Sequence, residues 1–173
     1  HVLRHSFPPR RSSDLGLELS ATKDFSHILP TPFDGLSLKG NITWIGSELT
    51  FLDAQGDSRD TGGWVNQPEF IFNGQVAYES GPLGVNVAYN HVSEYLSNVL
   101  SDTGDLHDTY AQPRGVLDFQ VRYDFNDHLT LIAEAENVTS EDIVFHRRFP
   151  FGDLLATRVE RGRVLWLGFR LQN

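Results

Sequence analysis

Two runs of alternating apolar and polar residues, joined by a short polar turn, make up residues 114–138, RGVLDFQVRYDFNDHLTLIAEAENV. From Leu117 to Phe125 the odd-numbered residues are apolar, and the residues between them are polar. From Leu129 to Glu136 the odd-numbered residues are again apolar, and the other face ends in two glutamates. A repeat of two residues is the repeat of a β-strand. The stretch therefore predicts a β-hairpin with one apolar and one polar face.

The predicted hairpin has a definite register. With a turn at 126–128, Phe125 lies opposite Leu129 and Gln120 lies opposite Glu134. Arg122 then lies diagonal to Glu134 on the polar face, where its positive charge offsets that of the carboxylate.

The same alternation recurs along the chain at 17–22, 36–51, 70–79, 85–95 and 165–171. The fold class is thus all-β, an antiparallel up-and-down meander of about seven strands, many of them longer than the five or six residues usual in soluble sheets. Short connections at 28–35, 81–84 and 126–128 alternate with long polar ones at 53–65, 101–113 and roughly 147–159. Short turns on one rim and long loops on the other are typical of a transmembrane β-barrel.

Aromatic residues support the same interpretation. They fall near the ends of the apolar face, where a membrane barrel carries its aromatic girdles. The residues concerned are Trp44, Phe70, Tyr95, Tyr123 and Phe125.

Composition and motifs exclude several functions. The net charge of −9 argues against a nucleic-acid partner, which needs clustered Lys and Arg. The chain has no Cys, and no apolar stretch approaches the roughly 18 residues of a spanning helix. Nucleophile-elbow, zinc-protease, phosphate-binding and dinucleotide-binding motifs are all absent. We therefore predict no enzyme activity, no catalytic residues, no cofactor and no metal.

Residues 1–15 differ from the rest, because they show no alternation and contain a Pro-Pro-Arg-Arg-Ser-Ser cluster. The string HSFPPRRSSDL, residues 5–15, closely resembles the conceptual translation of a sequencing adapter. We expect residues 1–15 to be a non-native or disordered segment, and residues 16–173 to form the folded domain.

Three segments resemble the last strands of TonB-dependent outer-membrane receptors: NQPEFIFNGQVAYESGPLGVNVAYN at 66–90, RGVLDFQVRYDFNDHLTLIAEAENVTSED at 114–142, and GRVLWLGFRL at 162–171. The resemblance implies a C-terminal fragment of a larger barrel of about 22 strands, whose lumen holds a plug. It implies a bacterial outer-membrane location and uptake of a scarce ligand of the siderophore, vitamin or carbohydrate class. The implied partners are outer-membrane lipid, the missing plug domain and barrel strands, the TonB complex through that plug, and the ligand. The family usually ends on an aromatic residue, whereas this chain ends on Asn173.

Candidate binding residues fall into two sets. The polar face of the strands should point into the lumen; it carries Lys39, Asn73, Gln75, Asp118, Gln120, Arg122, Glu134 and Glu136. Possible contacts to an anionic ligand or to lipopolysaccharide lie in the long loops, at His146, Arg147, Arg148, Asp105 and His107. Arginine suits such ligands because its forked donors match phosphate and carboxylate oxygens.

Two acidic loops, around Asp53 to Asp60 and Asp102 to Asp108, offer carboxylate oxygens to a divalent cation, but neither has the spacing of an EF-hand. Solvated surface charge is the preferred interpretation of both.

Two alternatives remain open from the sequence. One is a small complete outer-membrane barrel with a structural or adhesive role, which requires an even number of strands. The other is a soluble lipocalin-like binding barrel, which requires the apolar face to point inward.

Overall fold

The computed structural model describes residues 12–52, 58–99, 108–149 and 151–172. The described residues form twelve strands: β1 Ser12–Asp24, β2 Leu36–Leu52, β3 Ser58–Asp60, β4 Phe70–Ser80, β5 Leu83–Val92, β6 Tyr95–Asn98, β7 Thr109–Ala111, β8 Arg114–Asn126, β9 Leu129–Glu136, β10 Ile143–Phe149, β11 Gly152–Val159 and β12 Val164–Leu171. A 3₁₀ turn, Phe33–Gly35, leads into β2. No helix in these ranges has the length and apolar character needed to cross a membrane.

The long strands form one antiparallel sheet, here called the main sheet, in the order β1-β2-β4-β5-β8-β9-β12. The short strand β3 pairs with the end of β2. Each strand in this order therefore lies beside the next long strand in the sequence, which confirms the predicted meander of seven strands. Strands β1 and β12 lie at opposite ends of the order, so the described sheet is open.

The register keeps one apolar and one polar face across the whole main sheet. One row that crosses all seven strands is almost entirely apolar and contains Lys23, Leu38, Val76, Val87, Phe119, Ala135 and Leu165. A row displaced from it by one residue lies on the other face and contains Asp24, Ser37, Ala77, Asn86, Gln120, Glu134 and Trp166. Because side chains alternate along a strand, the two rows stay on opposite faces.

Short and long connections alternate as the sequence predicts. Connections 25–35, 81–82 and 127–128 lie at one end of the main sheet, the turn rim. Connections 53–69, 93–113 and 137–163 leave the opposite end, the loop rim. At the turn rim, Gly81 adopts a φ of 52°, a left-handed conformation that glycine accepts without steric cost.

The β8–β9 hairpin confirms most of its predicted register, but its turn is one residue shorter than expected. Gln120 lies opposite Glu134, as predicted, whereas Asn126 and not Phe125 lies opposite Leu129. Phe125 occupies a bulge, because the Asn126 side chain accepts hydrogen bonds from the backbone N–H groups of His128 and Leu129, at 2.9 Å and 3.0 Å. This local turn fixes Asn126 as the last strand residue.

Arg122 shares a face with Glu134, as predicted, but it lies nearer to other carboxylates. Its guanidinium is 3.7 Å from Glu79 and 3.5 Å from Asp124. Glu134 instead accepts a hydrogen bond from the side chain of Gln120, directly opposite it.

The long connections are more ordered than the sequence indicates. They contain β6, β7, β10 and β11, which form a second antiparallel sheet in the order β6-β7-β10-β11, here called the loop-side sheet. In the sequence, β6 follows β5, β7 precedes β8, β10 follows β9 and β11 precedes β12. The four strands therefore keep the lateral order of the main-sheet strands to which they are connected. The expectation of a loop at about 147–159 is therefore wrong, because most of these residues belong to the β10–β11 hairpin.

Strand β1 begins earlier than expected. The alternation in the sequence starts at Gly16, yet Ser12 to Leu15 already pair with Leu49 to Gly46 of β2. The backbone can pair there without an alternating pattern, because β2 extends far enough to offer a partner for each residue. Residues 1–11 lie outside the described residues.

Aromatic side chains cluster toward both ends of the apolar face. Trp44 and Phe70, toward the loop rim, have ring centroids 5.5 Å apart. Tyr123 and Phe125, at the turn rim, have ring centroids 5.0 Å apart. Tyr95 does not join them, since it belongs to β6 in the loop-side sheet.

If the apolar face meets lipid hydrocarbon, an arginine there must be far more costly than one on the polar face. In the intact protein, Val121→Arg near the middle of β8 should lower the free energy of unfolding by about 2–4 kcal/mol. Gln120→Arg is the matched control, because it places the same side chain opposite Glu134 on the other face. Denaturant titration in lipid vesicles measures both, and equal losses would contradict the assignment of faces.

Candidate functional site

The polar face of the main sheet carries all eight residues for which the sequence predicts a lumen-facing position. Lys39 pairs with Gln75, Asn86 pairs with Gln120, and the remaining residues follow in the same alternation. The structure therefore shows all eight residues on one face of the main sheet. That this face borders a lumen stays a prediction, because an enclosed space requires strands beyond these seven.

Side-chain hydrogen bonds run from strand to strand on this face. Asn73 Nδ2 donates to Asn41 Oδ1 at 2.9 Å, and Asn41 Nδ2 donates to Glu18 Oε1 at 3.3 Å. Gln75 Nε2 donates to Asn86 Oδ1 at 2.8 Å. A primary amide has two donors and two acceptor lone pairs, so each of these groups retains hydrogen-bonding capacity. The face is therefore suited to water or to a polar protein surface.

An open pocket lies on this face between β1 and β5. It has a volume of about 510 Å³ and is lined mainly by hydroxyl, amide and charged side chains. Within the described part of the chain, no three His, Asp or Glu side chains are arranged to hold a metal ion. The surface therefore offers hydrogen-bond donors and acceptors to a polar partner.

The three basic residues His146, Arg147 and Arg148 do not form one surface. They are consecutive residues of β10, so His146 and Arg148 lie on one face of the loop-side sheet and Arg147 lies on the other. His146 is buried, whereas Arg147 is exposed. Their contact with a ligand or with lipopolysaccharide stays a prediction, and the candidates Asp105 and His107 lie outside the described residues.

His146 and Arg148 lie against two carboxylates that the sequence did not associate with them. His146 Nε2 is 3.4 Å from Glu94 Oε2 and 3.2 Å from Asp153 Oδ2. Arg148 Nη2 donates to Glu94 Oε1 at 2.6 Å, and this hydrogen bond raises the pKa of the arginine. The His146 imidazole stacks on the Tyr110 ring with centroids 5.9 Å apart, and the Arg148 guanidinium lies 4.0 Å over that ring. We call these five residues the His146 cluster.

A second charged pair joins two of the long connections. Arg59 of β3 donates a hydrogen bond to Asp108, and both side chains are buried. A buried pair of this kind is costly to break, because either partner alone would be an uncompensated charge. Asp108 belongs to one of the two acidic loops considered as cation sites, and it pairs with Arg59. The other acidic residues Asp53, Asp57, Asp102 and Asp105 lie outside the described residues.

Asn137 ties the end of β9 to β8 and to the residues that precede β10 and β12. It is buried and has a φ of 52°, and its backbone N–H donates to Asp118 Oδ1 at 2.9 Å. Its side-chain Nδ2 donates to the carbonyl oxygens of Glu141 and Gly162 at 3.0 Å and 2.7 Å, while its Oδ1 accepts from Glu141 N at 2.9 Å. Asparagine tolerates this left-handed backbone better than most residues.

The sequence alone did not identify Glu94, Tyr110 or Asp153 as partners of His146. These residues lie far apart in the chain, and no spacing rule relates them. The strand order of the loop-side sheet brings them together. The one local signal was the run of three basic residues, in which an arginine that is not solvated requires an anionic neighbour.

The main sheet has the form of a segment of a transmembrane β-barrel wall, with long antiparallel strands, one apolar and one polar face, and loops of unequal length at its two rims. The sequence matches the family described as TonB dependent receptor-like, beta-barrel, over residues 15–138. The chain belongs to this family, which consists of receptors and transporters and not of enzymes.

A solved structure has the same fold. The siderophore receptor PiuA from Acinetobacter baumannii matches with a TM-score of 0.63 and 18% sequence identity. The match covers 92% of this chain and 22% of the receptor, so the chain spans less than a quarter of that protein's length. At 18% sequence identity, this similarity establishes the fold alone. No curated protein matches the chain by sequence.

Replacing Asn137 should destabilise the loop rim. Asn137→Ala removes three side-chain hydrogen bonds. It also leaves an alanine at positive φ, where the methyl group is strained and no polar side chain offsets the strain. We therefore expect a loss of about 2–4 kcal/mol in the free energy of unfolding. Asn137→Gly loses the same bonds without the backbone strain and should be less harmful. Denaturant titration of the intact protein separates the two effects, and a neutral Asn137→Ala variant would contradict this role.

The base of the β10–β11 hairpin should loosen in acid. Arg158 donates a 2.7 Å hydrogen bond to Asp142, and this lowers the pKa of the carboxyl below its ordinary value of 3.8. The pair therefore stabilises the hairpin fully above the ordinary pKa and ceases to do so as pH falls through the lowered value. Hydrogen exchange at residues 143–159 should accelerate below about pH 4 relative to its intrinsic rate. Arg158→Gln should abolish this change, and an unaltered acid response would rule out the pair as its source.

Proposed function

We propose that this chain is the C-terminal part of the barrel wall of a receptor in the bacterial outer membrane, and that the whole receptor imports a scarce small-molecule ligand with energy supplied through TonB. The observation that carries the proposal is the two-faced main sheet with open edges at β1 and β12. Family membership over residues 15–138 supports the same conclusion.

The open edges require further strands. In hydrocarbon each unpaired backbone N–H or C=O group costs several kcal/mol, because no water is present to bind it. An apolar face this large therefore enters the membrane only when β1 and β12 both have neighbours. In the proposed receptor the strands missing from this chain provide them and close the barrel.

In the proposed receptor, the polar face of the main sheet borders the interior of the barrel. With the apolar face toward lipid, Lys39, Asp118 and Arg122 point into the lumen, where the plug domain or water meets them. The hydrogen-bonding capacity of the amides on this face supports contact with a polar protein surface. TonB acts on such a receptor through the plug, and not through these strands.

The ligand is proposed to be of the siderophore, vitamin or carbohydrate class. A siderophore is the first to test, because the solved protein with the same fold is a siderophore receptor. The exposed Arg147 and the other long-loop residues provide the outer surface that such a ligand would reach first.

Uptake by the whole receptor tests the proposal. The complete protein is produced in a Gram-negative host that lacks its own receptors, with and without functional TonB. Growth is then measured on a ferric siderophore, a corrinoid vitamin or an oligosaccharide as the limiting nutrient. Growth on one of these only when TonB is present is the expected result. No growth on any, or growth independent of TonB, would contradict the proposal.

Residues 16–173 by themselves should not form a closed pore. An odd number of strands with two open edges does not close into a bacterial barrel, and seven strands leave little room for the charged polar face. Refolded in detergent, the segment should aggregate and show no heat-dependent change in gel mobility. A monodisperse, heat-modifiable monomer that conducts ions would instead favour the small complete barrel.

A further inference from the structure

The connection between β1 and β2, residues 25–35, is longer than the other two connections at the turn rim and is hydrogen-bonded within itself. Phe25 N donates to the carbonyl oxygen of Leu36 at 3.0 Å, which closes the base of the connection. Phe33 N donates to the carbonyl oxygen of Pro30 at 2.8 Å. Because these backbone groups are paired inside the segment, they do not depend on water for their hydrogen bonds. The connection is therefore an ordered element, here called the β1–β2 turn.

Two large apolar side chains are exposed on the β1–β2 turn. Ile28 is 57% exposed and Phe33 is 62% exposed. Ile28 N donates to the carbonyl oxygen of Phe25 at 2.9 Å, so the backbone at both residues is held in place. Exposed apolar surface is unfavourable in water by about 25 cal/mol per Å². When it enlarges an apolar face, such surface is typical of contact with a membrane or a partner.

A hydroxyl group on the apolar face of the main sheet holds the turn against β4. Tyr78 belongs to this face by the alternation of β4, and its hydroxyl donates to the carbonyl oxygen of Pro32 at 2.8 Å. Gly35 lies so close to β4 that a Cβ there would clash with the carbonyl oxygen of Glu79. The turn thus lies beside the end of the apolar face, and Phe33, the residue after Pro32, adjoins that face.

A lysine lies at the same end of the apolar face. Lys23 is the last residue of β1 on this face, and it is exposed. A lysine at such a position can rest its stem on apolar surface while its ammonium group reaches a phosphate. The two aspartates nearby have partners inside the turn. Asp24 accepts from Ser26 N at 2.7 Å, and Asp34 accepts from the Thr31 hydroxyl at 3.1 Å.

We propose that the β1–β2 turn is an interfacial anchor, in which Ile28 and Phe33 enter the phospholipid leaflet at the turn rim and Lys23 contacts lipid phosphates. The inference rests on the proposed function, in which the apolar face meets lipid, and adds a membrane contact outside the spanning strands. The occupant is lipid because the exposed pair continues the apolar face and because Lys23 complements an anionic phosphate. Tyrosine and lysine are both suited to this boundary between water and hydrocarbon.

Spin labelling of the complete receptor tests the anchor. Labels are attached after Ile28→Cys and Phe33→Cys; residues 1–173 contain no cysteine, and any cysteine elsewhere in the receptor is first replaced by serine. The receptor is reconstituted in vesicles of phosphatidylcholine and phosphatidylglycerol. Collision rates of each label are measured with oxygen, which concentrates in lipid, and with a nickel chelate, which stays in water. Both labels should favour oxygen and lie about 5–10 Å below the phosphates.

Two control labels separate the anchor from the proposed function. Asp127→Cys, in the short polar turn between β8 and β9, should favour the nickel chelate. Val121→Cys, near the middle of β8 on the apolar face, should favour oxygen, and a Val121 label in water would refute the lipid-facing wall itself. With the Val121 label in lipid, labels at 28 and 33 that lie in water, or that neither reagent reaches, would overturn the anchor alone. An Asp127 label as deep as these two would also overturn it.

Tyr78→Phe tests the hydrogen bond that holds the turn against β4. It removes the hydroxyl that donates to Pro32, so the label at residue 33 should lie less deep and become more mobile. Tyr123→Phe, on the apolar face of β8 at the same rim, is the matched control and should leave the depth of this label unchanged. A label depth that is the same in Tyr78→Phe as in the parent would overturn the role assigned to Tyr78.

Discussion

Backbone hydrogen bonding between neighbouring strands, in one register across the main sheet, is the constraint on which the rest of the structure depends. Side chains alternate along each strand, so a slip of one residue in any pair would move that strand's apolar residues to the polar face. The register avoids this in all six pairs, from β1–β2 to β9–β12. Two continuous surfaces of opposite character result, and every proposal about membrane, plug and ligand rests on them.

This sheet has no core of its own. Among the described residues the buried hydrophobic side chains are Leu96 and Ala111, and both belong to the loop-side sheet. Large apolar side chains of the main sheet remain exposed, including Leu165 at 79% and Phe169 at 67%. A soluble barrel would bury such residues inside, whereas the barrel wall proposed above turns them toward lipid.

Polar contacts take the place of a core at the loop rim. Beside Leu96 and Ala111, the buried side chains there are polar or charged: Arg59, Asp108, Asn137 and His146. Such contacts depend on the presence of every partner, whereas apolar packing does not. The two ends of the molecule thus differ in physical character, with a rim of tight turns on one side and a polar rim on the other.

The sequence by itself determined the seven long strands, their order, the two faces and the positions of the short turns, because each follows from alternation and from local turn residues. It also indicated the family, through segments such as 114–142. The sequence predicted Phe125 opposite Leu129. The Asn126 side chain instead accepts two backbone hydrogen bonds and shortens the turn by one residue, so that Phe125 lies in a bulge. Only the tertiary structure decided that the long connections build a second sheet, and that His146 of β10 meets Glu94 and Asp153. Those contacts join residues distant in the chain, and their geometry depends on the lateral order of strands, which no local pattern of residues encodes.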